Sequence, residues 1–209
     1  MKILPADISI RDFLAALASA DEAHGAVSAA AVSGGLGTAL LHMVASLPHA
    51  RSHAVSDRMK LVEAAALLSD VQAQLLETIE TETAVKIFTA RNLPQATASE
   101  RLERQAVIQI ALRAAADVPL EVMRLCARGL RAAEKVAAHS VRAASADVQL
   151  GIALLHAAVN GARSSLEAKL GSLTDTQYIG SMVDEIASLS EEAATAAQAA
   201  KEALQVPAA

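Results

Sequence analysis

Aromatic side chains are almost absent from this chain of 209 residues, which has no Trp, one Tyr and two Phe. Hydrophobic residues nevertheless make up 53% of it, and most of these are Ala or Leu. Strands favour aromatic and β-branched residues, whereas Ala and Leu are among the strongest helix formers. The composition therefore predicts an all-α fold, and no segment shows the alternation typical of a half-buried strand.

Cysteine and positive charge are also scarce. The lone Cys126 cannot form an internal disulfide, and the N-terminal sequence MKILPADIS has no secretory signal pattern, so we expect a cytoplasmic protein. Cys126 lies four residues after Val122 on an apolar stripe, which predicts a core side chain rather than a nucleophile. A net charge of −5 with a pI of about 5.7 excludes a broadly basic surface, so we expect no nucleic-acid partner.

Residues 23–50 contain no Asp, Glu, Lys or Arg, so this segment has to be buried. We predict a central helix over residues 28–47, in which small residues such as Gly34, Gly35 and Gly37 allow neighbouring helices to approach closely. A membrane span is the alternative, since about 20 apolar residues cross a bilayer. The missing aromatic belt, His42 within the segment and the lack of a second such segment favour a core helix, and we expect no membrane partner.

Further helices are predicted by apolar residues at helical spacing and by capping residues at the ends. They cover residues 10–20, 56–90, 99–116, 119–138, 147–170 and 175–204. The Ala-rich run after Leu189 is expected to fray, because it has little to bury. No linker divides the chain, so we predict a single domain over residues 1–209, a bundle of about seven helices whose Ala-rich faces suit a homodimer.

Residues with evident chemistry are few. The chain has no paired Cys ligands and no Glu-x-x-His pair on two helices, and His49 with His53 lacks a third ligand, so we expect no metal. Asp147 is of interest because it immediately precedes a buried apolar helix. A carboxylate there can cap the helix by accepting backbone N–H groups, or it can act as a general acid or base tuned by partial burial.

Four stretches together resemble a known family: ISIRDFLAALAS, SAAAVSGGLGTALLHMVASL, ADVPLEVMRLC and ADVQLGIALLHAAVNGA. Their order and spacing are similar to the cyclodeaminase domain of formiminotransferase-cyclodeaminase and to the stand-alone bacterial methenyltetrahydrofolate cyclohydrolases. The resemblance implies an all-helical dimer that binds a tetrahydrofolate derivative between helices near the subunit interface. It also implies one of two reactions, cyclisation of formiminotetrahydrofolate with loss of ammonia or hydrolysis of the methenyl form to 10-formyltetrahydrofolate.

The resemblance also implies site residues. Asp147 matches the Asp of the family's Ser-Asp pair and is the candidate catalytic acid or base. Ser165 stands where the family has an Asn that lies toward the folate, and Glu80 matches an acidic residue of the family. Both are therefore candidate cofactor-binding residues.

Two segments depart from the family pattern. The loop Pro-x-Pro-Gly-Gly-Gly-Ser appears as EAHGAVS, residues 22–28, in which Gly25 and Ser28 remain as candidate cofactor contacts. The sequence Leu-Thr-x-Gly-Lys appears as LPHAR, residues 47–51. Arg51 keeps the positive charge and is a candidate for holding an anionic part of the cofactor, but it cannot exchange a proton near neutral pH as Lys can.

These departures leave three hypotheses open. The first is a folate-dependent one-carbon enzyme, a cyclohydrolase or cyclodeaminase that uses Asp147 and Arg51. The second is a catalytically inactive family member that binds a pterin, another small ligand or a protein partner, and the third is a purely structural helical dimer. Convergence of Asp147, Arg51, Ser28 and Glu80 in one pocket at a dimer interface would favour the enzyme.

Overall fold

The structure, a computed structural model, describes residues 9–19, 25–52, 54–79 and 97–205. These residues form a helical bundle with a short 3-10 helix, and the only β pairing among them is an isolated antiparallel bridge between Ala50 and Ser140. The α-helices are α1 (Ile10–Ala18), α2 (Ala26–Ala45), α3 (Val55–Ile79), α4 (Ala98–His139), α5 (Ser145–Leu170) and α6 (Thr176–Gln205). The all-α prediction is confirmed. The predicted single domain stays a prediction, and the part of the 56–90 helix beyond residue 79 lies outside the described residues.

Helix ends follow the capping signals in the sequence. At the start of α1, Ser9 Oγ accepts a hydrogen bond of 3.1 Å from the backbone N–H of Asp12. Ahead of α6, Asp175 Oδ1 accepts bonds of 3.0 Å from the backbone N–H groups of Gln177 and Tyr178. These side chains satisfy backbone donors that a helix terminus leaves without a partner, and both predicted starts are confirmed.

Helix α2 is the centre of the bundle, as predicted. It packs along α3 on one side and along α5 on the other. Glycines make the approach to α5 possible, since a Cβ on Gly37 would lie only 2.8 Å from the backbone oxygen of Gly151, and one on Gly151 only 2.8 Å from Cγ of Leu41. In the described part of the chain, α2 is also the one helix long and apolar enough to cross a membrane. Its packing between two other helices is that of a core helix.

Pro119 does not end a helix. The prediction of two helices that meet near this residue was wrong, because α4 runs without a break and contains Pro119 in its interior. A proline inside a helix removes a backbone hydrogen bond and costs about 3 kcal/mol. Ala116 on one side of it and Leu120 on the other are almost fully buried, and the burial of both halves of α4 offsets that cost.

The Ala-rich end of α6 is packed rather than frayed. Ala193, Ala197 and Ala200 are at most 3% exposed, on a helix that packs along α4. The prediction of fraying was wrong because it was based on the weak hydrophobicity of the run, which does not show how closely its side chains pack. Small side chains allow close contact between helices, so that even methyl groups fill the space between them.

Candidate active site

The predicted site residues depend on how α2 and α5 lie relative to each other. Ser33 Oγ donates a 3.0 Å hydrogen bond to the carbonyl of Leu154. A Cβ on Gly161 would lie 3.5 Å from Cβ of Ala30, whereas Gly37 lies against Gly151. Residue numbers therefore rise along α2 as they fall along α5, and the two helices are antiparallel.

This arrangement separates the predicted site residues into two groups. Asp147 precedes Gly151 by one turn and so lies near the C-terminal end of α2, on the side of the bundle where Arg51 is found. Ser165 lies near the N-terminal end of α2, with Gly25 and Ser28. Asp147 and Ser165 are separated by 18 residues of one helix, or about 27 Å at a rise of 1.5 Å per residue. Within one subunit the two groups do not converge, and Glu80 lies outside the described residues.

At the first end, Gly25 is the N-cap of α2 and has extended backbone angles, φ −131° and ψ −162°. Other residues adopt these angles as well, so the backbone does not demand glycine here. A Cβ at Gly25 would meet nothing within 4 Å, and no side chain caps the helix. Ser28 is half-buried in the first turn. None of the described residues fills the space at Gly25, but contact of Gly25 or Ser28 with a ligand stays a prediction.

Ser165 has a partner that sequence reasoning missed. Lys169, one turn further along α5, donates a hydrogen bond of 2.9 Å from Nζ to Ser165 Oγ. Burial lowers the pKa of Lys169, because a charged ammonium is disfavoured away from water. The spacing of four residues was the available signal, since residues four apart share a helix face.

Arg51 joins the ends of two helices. Its Nε, Nη1 and Nη2 donate hydrogen bonds to the backbone carbonyls of Ser140 (3.3 Å), Ala203 (3.3 Å) and Ala137 (2.7 Å). Burial, followed by the nearby charge of Arg142, lowers the pKa of Arg51. These bonds take three of the five N–H groups of the guanidinium. Contact of the remaining donors with a ligand stays a prediction, but the three carbonyl bonds show a structural role that the sequence did not reveal.

Asp147 lies in the first turn of α5 and is half-buried. The cap position belongs to Ala144, and no side chain caps this helix end. The interpretation of Asp147 as a hydrogen-bonding cap is therefore wrong, because the helix begins two residues earlier and places the carboxylate past the cap position. No hydrogen-bond donor pairs with Asp147 among the residues that the structure describes. Its charge is still favourable beside a helix N-terminus, and its oxygens are available to a ligand or to water.

A groove of about 610 Å³ lies at the same end of α5; Ala146, the residue before Asp147, lines it, and Asp147 itself does not. It runs between the first turns of α5 and the last turns of α6, and it combines aliphatic, amide and ammonium side chains. Its lining residues are Ala146, Gln149, Leu150, Ala153, Lys201, Leu204 and Gln205. Sequence reasoning missed this groove, because its two walls are about 50 residues apart in the chain and each contributes side chains that are unremarkable alone.

A cluster of polar side chains surrounds Asp57, at the same end of the bundle as Arg51. His139 Nδ1 is 3.2 Å from Asp57 Oδ1, and Ser52 Oγ donates a 2.5 Å hydrogen bond to Asp57 Oδ2. The bond from Ser52, followed by the charges of His139 and Lys60, holds the pKa of Asp57 below its usual value. The cluster ties the segment that carries Arg51 to the end of α4, where the backbone N–H of Arg51 also bonds the carbonyl of His139 at 2.7 Å.

Cys126 is a core residue, as predicted. It is fully buried, and its Sγ lies where a Cβ on Gly34 would be only 2.7 Å away. Burial raises the pKa of its thiol to about 12. A thiol in this state is not a nucleophile near neutral pH.

Comparison with known proteins agrees with the fold. Residues 9–188 match the family model described as formiminotransferase-cyclodeaminase. A methenyltetrahydrofolate cyclohydrolase of Methylorubrum extorquens is 30% identical over 189 residues, covering 88% of this chain and 90% of that protein. The formimidoyltransferase-cyclodeaminase of Mus musculus is 28% identical over 91% of this chain but only 36% of its own length, so this chain spans about a third of that relative. The crystal structure of a formiminotetrahydrofolate cyclodeaminase from Thermotoga maritima matches with a TM-score of 0.83 at 20% identity, over 95% of this chain and 96% of that one.

Proposed function

Because the chain belongs to the formiminotransferase-cyclodeaminase family, we propose that it is a folate-dependent one-carbon enzyme that hydrolyses 5,10-methenyltetrahydrofolate to 10-formyltetrahydrofolate. Hydrolysis is preferred to ammonia release because the cyclohydrolase relative matches along 90% of its own length. The observation that carries the proposal is the half-buried Asp147, a carboxylate without a donor among the described residues, one residue from Ala146 at the end of the groove. The cytoplasm is the proposed location, on the ground of the lone cysteine.

The proposed chemistry needs little from the protein besides position and a base. The methenyl carbon is part of an amidinium-like cation, which water attacks while Asp147 accepts the proton of that water. Asp147 passes this proton to ring nitrogen N5 as the bond between N5 and the former methenyl carbon breaks. The hydroxyl group that water added loses its remaining proton to solvent, which leaves the formyl group on N10. A carboxylate beside the cation also stabilises its positive charge during binding.

We further propose a homodimer in which the exposed side of α2 and α5 is the interface. Leu36 and Met43 of α2 are 53% and 46% exposed, and Leu150 of α5 is 52% exposed. Helix α2 carries no Asp, Glu, Lys or Arg, so this face has little charge to desolvate. An apolar face of this kind is typical of subunit contacts.

The dimer accounts for the two separated groups of site residues. In a two-fold interface the same surface of each subunit meets its own copy. A two-fold axis perpendicular to α2 and α5 makes each helix meet its copy in the antiparallel direction. Packing α2 and α5 in this way brings the end that carries Ser28 and Ser165 in one subunit toward the end that carries Asp147 in the other. The proposed catalytic site is therefore built from both subunits.

The test is the decay of methenyltetrahydrofolate absorbance with purified protein, with a binding titration beside it. We expect turnover by the wild type, a loss of at least about 100-fold in Asp147→Asn, and no change in Asp184→Asn, an exposed carboxylate on α6. Full activity in Asp147→Asn at an unchanged melting temperature would contradict the catalytic role. Binding without turnover in the wild type would instead support the hypothesis of an inactive, ligand-binding family member.

A further inference from the structure

The groove that ends at Ala146 contains a cation whose role the proposed reaction does not explain. Lys201 is exposed on the last turns of α6 and lines the groove opposite α5. Among the described residues no carboxylate lies within ion-pair distance of it. The groove's other polar lining residues are Gln149 and Gln205, which are neutral.

Three cations of α4 are paired with carboxylates of neighbouring helices. Arg124 bonds Glu185 at 2.7 Å and Arg131 bonds Glu192, which joins α4 to α6. Arg128 likewise bonds Asp70 of α3 at 3.0 Å. Lys201 differs from these residues in two respects, since it has no acidic partner in the described part of the chain and it lines a groove.

The backbone around Lys201 is held from outside α6. Ala203 belongs to the last turn of this helix, whose carbonyls have no partner within the helix. Arg51 Nη1 donates to the carbonyl of Ala203, while its Nη2 donates to the carbonyl of Ala137 near the end of α4. Arg51 therefore fixes the wall of the groove two residues from Lys201.

We propose that Lys201 binds the anionic end of the ligand in this groove, and that Arg51 is the positioning residue that holds Lys201 in place through Ala203. The proposal rests on the proposed function in one respect, namely that the ligand is a folate, whose aminobenzoylglutamate part ends in carboxylates. It reassigns the ligand-binding charge from Arg51 to Lys201, because the guanidinium already bonds three backbone carbonyls.

The dimensions of the groove agree with this assignment. Residues 171–175 connect α5 and α6 as an antiparallel hairpin, so Gln205 lies toward the Ala146 end of the groove and Lys201 toward the Ala153 end. Ala153 is six residues beyond Asp147, or about 9 Å along α5. A ligand with its carboxylates near Lys201 and its apolar middle against Leu150 and Leu204 would have to extend past Ala146 to bring its reactive carbon to Asp147.

The experiment compares two probes by calorimetric titration: 5-formyltetrahydrofolate, which carries the glutamate carboxylates, and 6-methyltetrahydropterin, which lacks them. We expect Lys201→Met to weaken binding of the folate about tenfold or more, since a charge-assisted hydrogen bond is lost, and to leave binding of the pterin unchanged. The wild-type affinity for the folate should also fall as salt is raised, and that dependence should be smaller in the variant. Lys135→Met, on α4 and paired with Glu63, is the matched control and should bind both probes as the wild type does.

The positioning role of Arg51 is tested in the same titrations. Arg51→Lys alone should weaken folate binding. Combined with Lys201→Met it should cause no further loss, because Arg51 acts through the side chain of Lys201. Additive losses would overturn the positioning role. If Lys201→Met binds the folate as tightly as the wild type does, the role of Lys201 is refuted but the proposed function is not. A wild type that binds neither probe would refute the folate assignment, and the assignment of Lys201 with it.

Discussion

The close contact of α2 with α5 allows a sharp test with two glycines of the same helix. A Cβ on Gly37 would lie 2.8 Å from the oxygen of Gly151, 3.0 Å from Cγ of Leu155 and 3.2 Å from the nitrogen of Leu155. Two of these three atoms belong to the backbone, so only a movement of the helices could relieve the overlap. Gly35 has nothing within 4 Å of the same position, which makes it the matched control.

The two substitutions are expected to change the free energy of unfolding in opposite directions. Replacing Gly by Ala within a helix stabilises it by about 0.5–1 kcal/mol, through a smaller loss of backbone entropy. Overpacking a well-filled contact costs about 1–3 kcal/mol, and at Gly37 the backbone contacts place the cost in the upper part of that range. We therefore expect Gly35→Ala to raise the free energy of unfolding by up to about 1 kcal/mol and Gly37→Ala to lower it by about 1–2 kcal/mol.

The assay is urea unfolding followed by circular dichroism at one fixed protein concentration, since the stability of a dimer depends on concentration. The difference between the two variants, about 2–3 kcal/mol, isolates the overpacking cost because the gain in helix propensity is common to both. Gly180→Ala, at an exposed position of α6 with open space around its Cβ, should behave as Gly35→Ala does. A Gly37→Ala variant as stable as Gly35→Ala would refute the close approach of α2 and α5 at this point.

Two further predictions concern the side chain of Tyr178 and the proposed dimer interface. Burial and a hydrogen bond of 2.8 Å to Asp117 raise the pKa of Tyr178 to about 12 from its usual 10.0. The neutral phenol therefore stabilises the folded protein fully below pH 10, and this contribution is lost between about pH 10 and 12. Because Tyr178 is the only Tyr and Trp is absent, tyrosinate absorbance reports it alone; Asp117→Asn should lower the pKa, and a wild-type phenol titrating near 10 in the folded protein would contradict the prediction. Leu36→Glu should shift the protein toward monomer in sedimentation velocity, because a carboxylate would be buried in the proposed interface, whereas Val183→Glu, an equally exposed apolar position on α6, should not. An unchanged sedimentation coefficient in Leu36→Glu would exclude this face from the interface.

The helices could be predicted where the signal is local. The caps at Ser9 and Asp175 and the uncharged segment around Leu41 each depend on residues within one or two turns, and the structure bears these predictions out. Pro119 shows the limit of local reasoning, since the cost of the proline is a property of its own turn. The burial that offsets it comes from helices distant in sequence.

The candidate site divides in the same way. Asp147 was identified from its place before a buried helix and from the residues around it, and its lack of a capping bond became visible only in the structure. The role of Arg51 was not predictable, because its three acceptors are backbone carbonyls, which every residue possesses and no sequence pattern marks. The groove with Lys201 was hidden for a related reason, since its walls belong to two helices of unremarkable composition.

The sequence by itself thus determined the helical class, the position of the central helix and the family, because these depend on composition, periodicity and the order of motifs. Tertiary structure alone decided which ends of α2 and α5 lie together, and so placed Asp147 near the C-terminal end of α2 and Ser165 near its N-terminal end. The physical reason is that an uncharged helix of small residues can pack in either direction. Its direction here depends on where glycines such as Gly37 and Gly151 allow two backbones to meet.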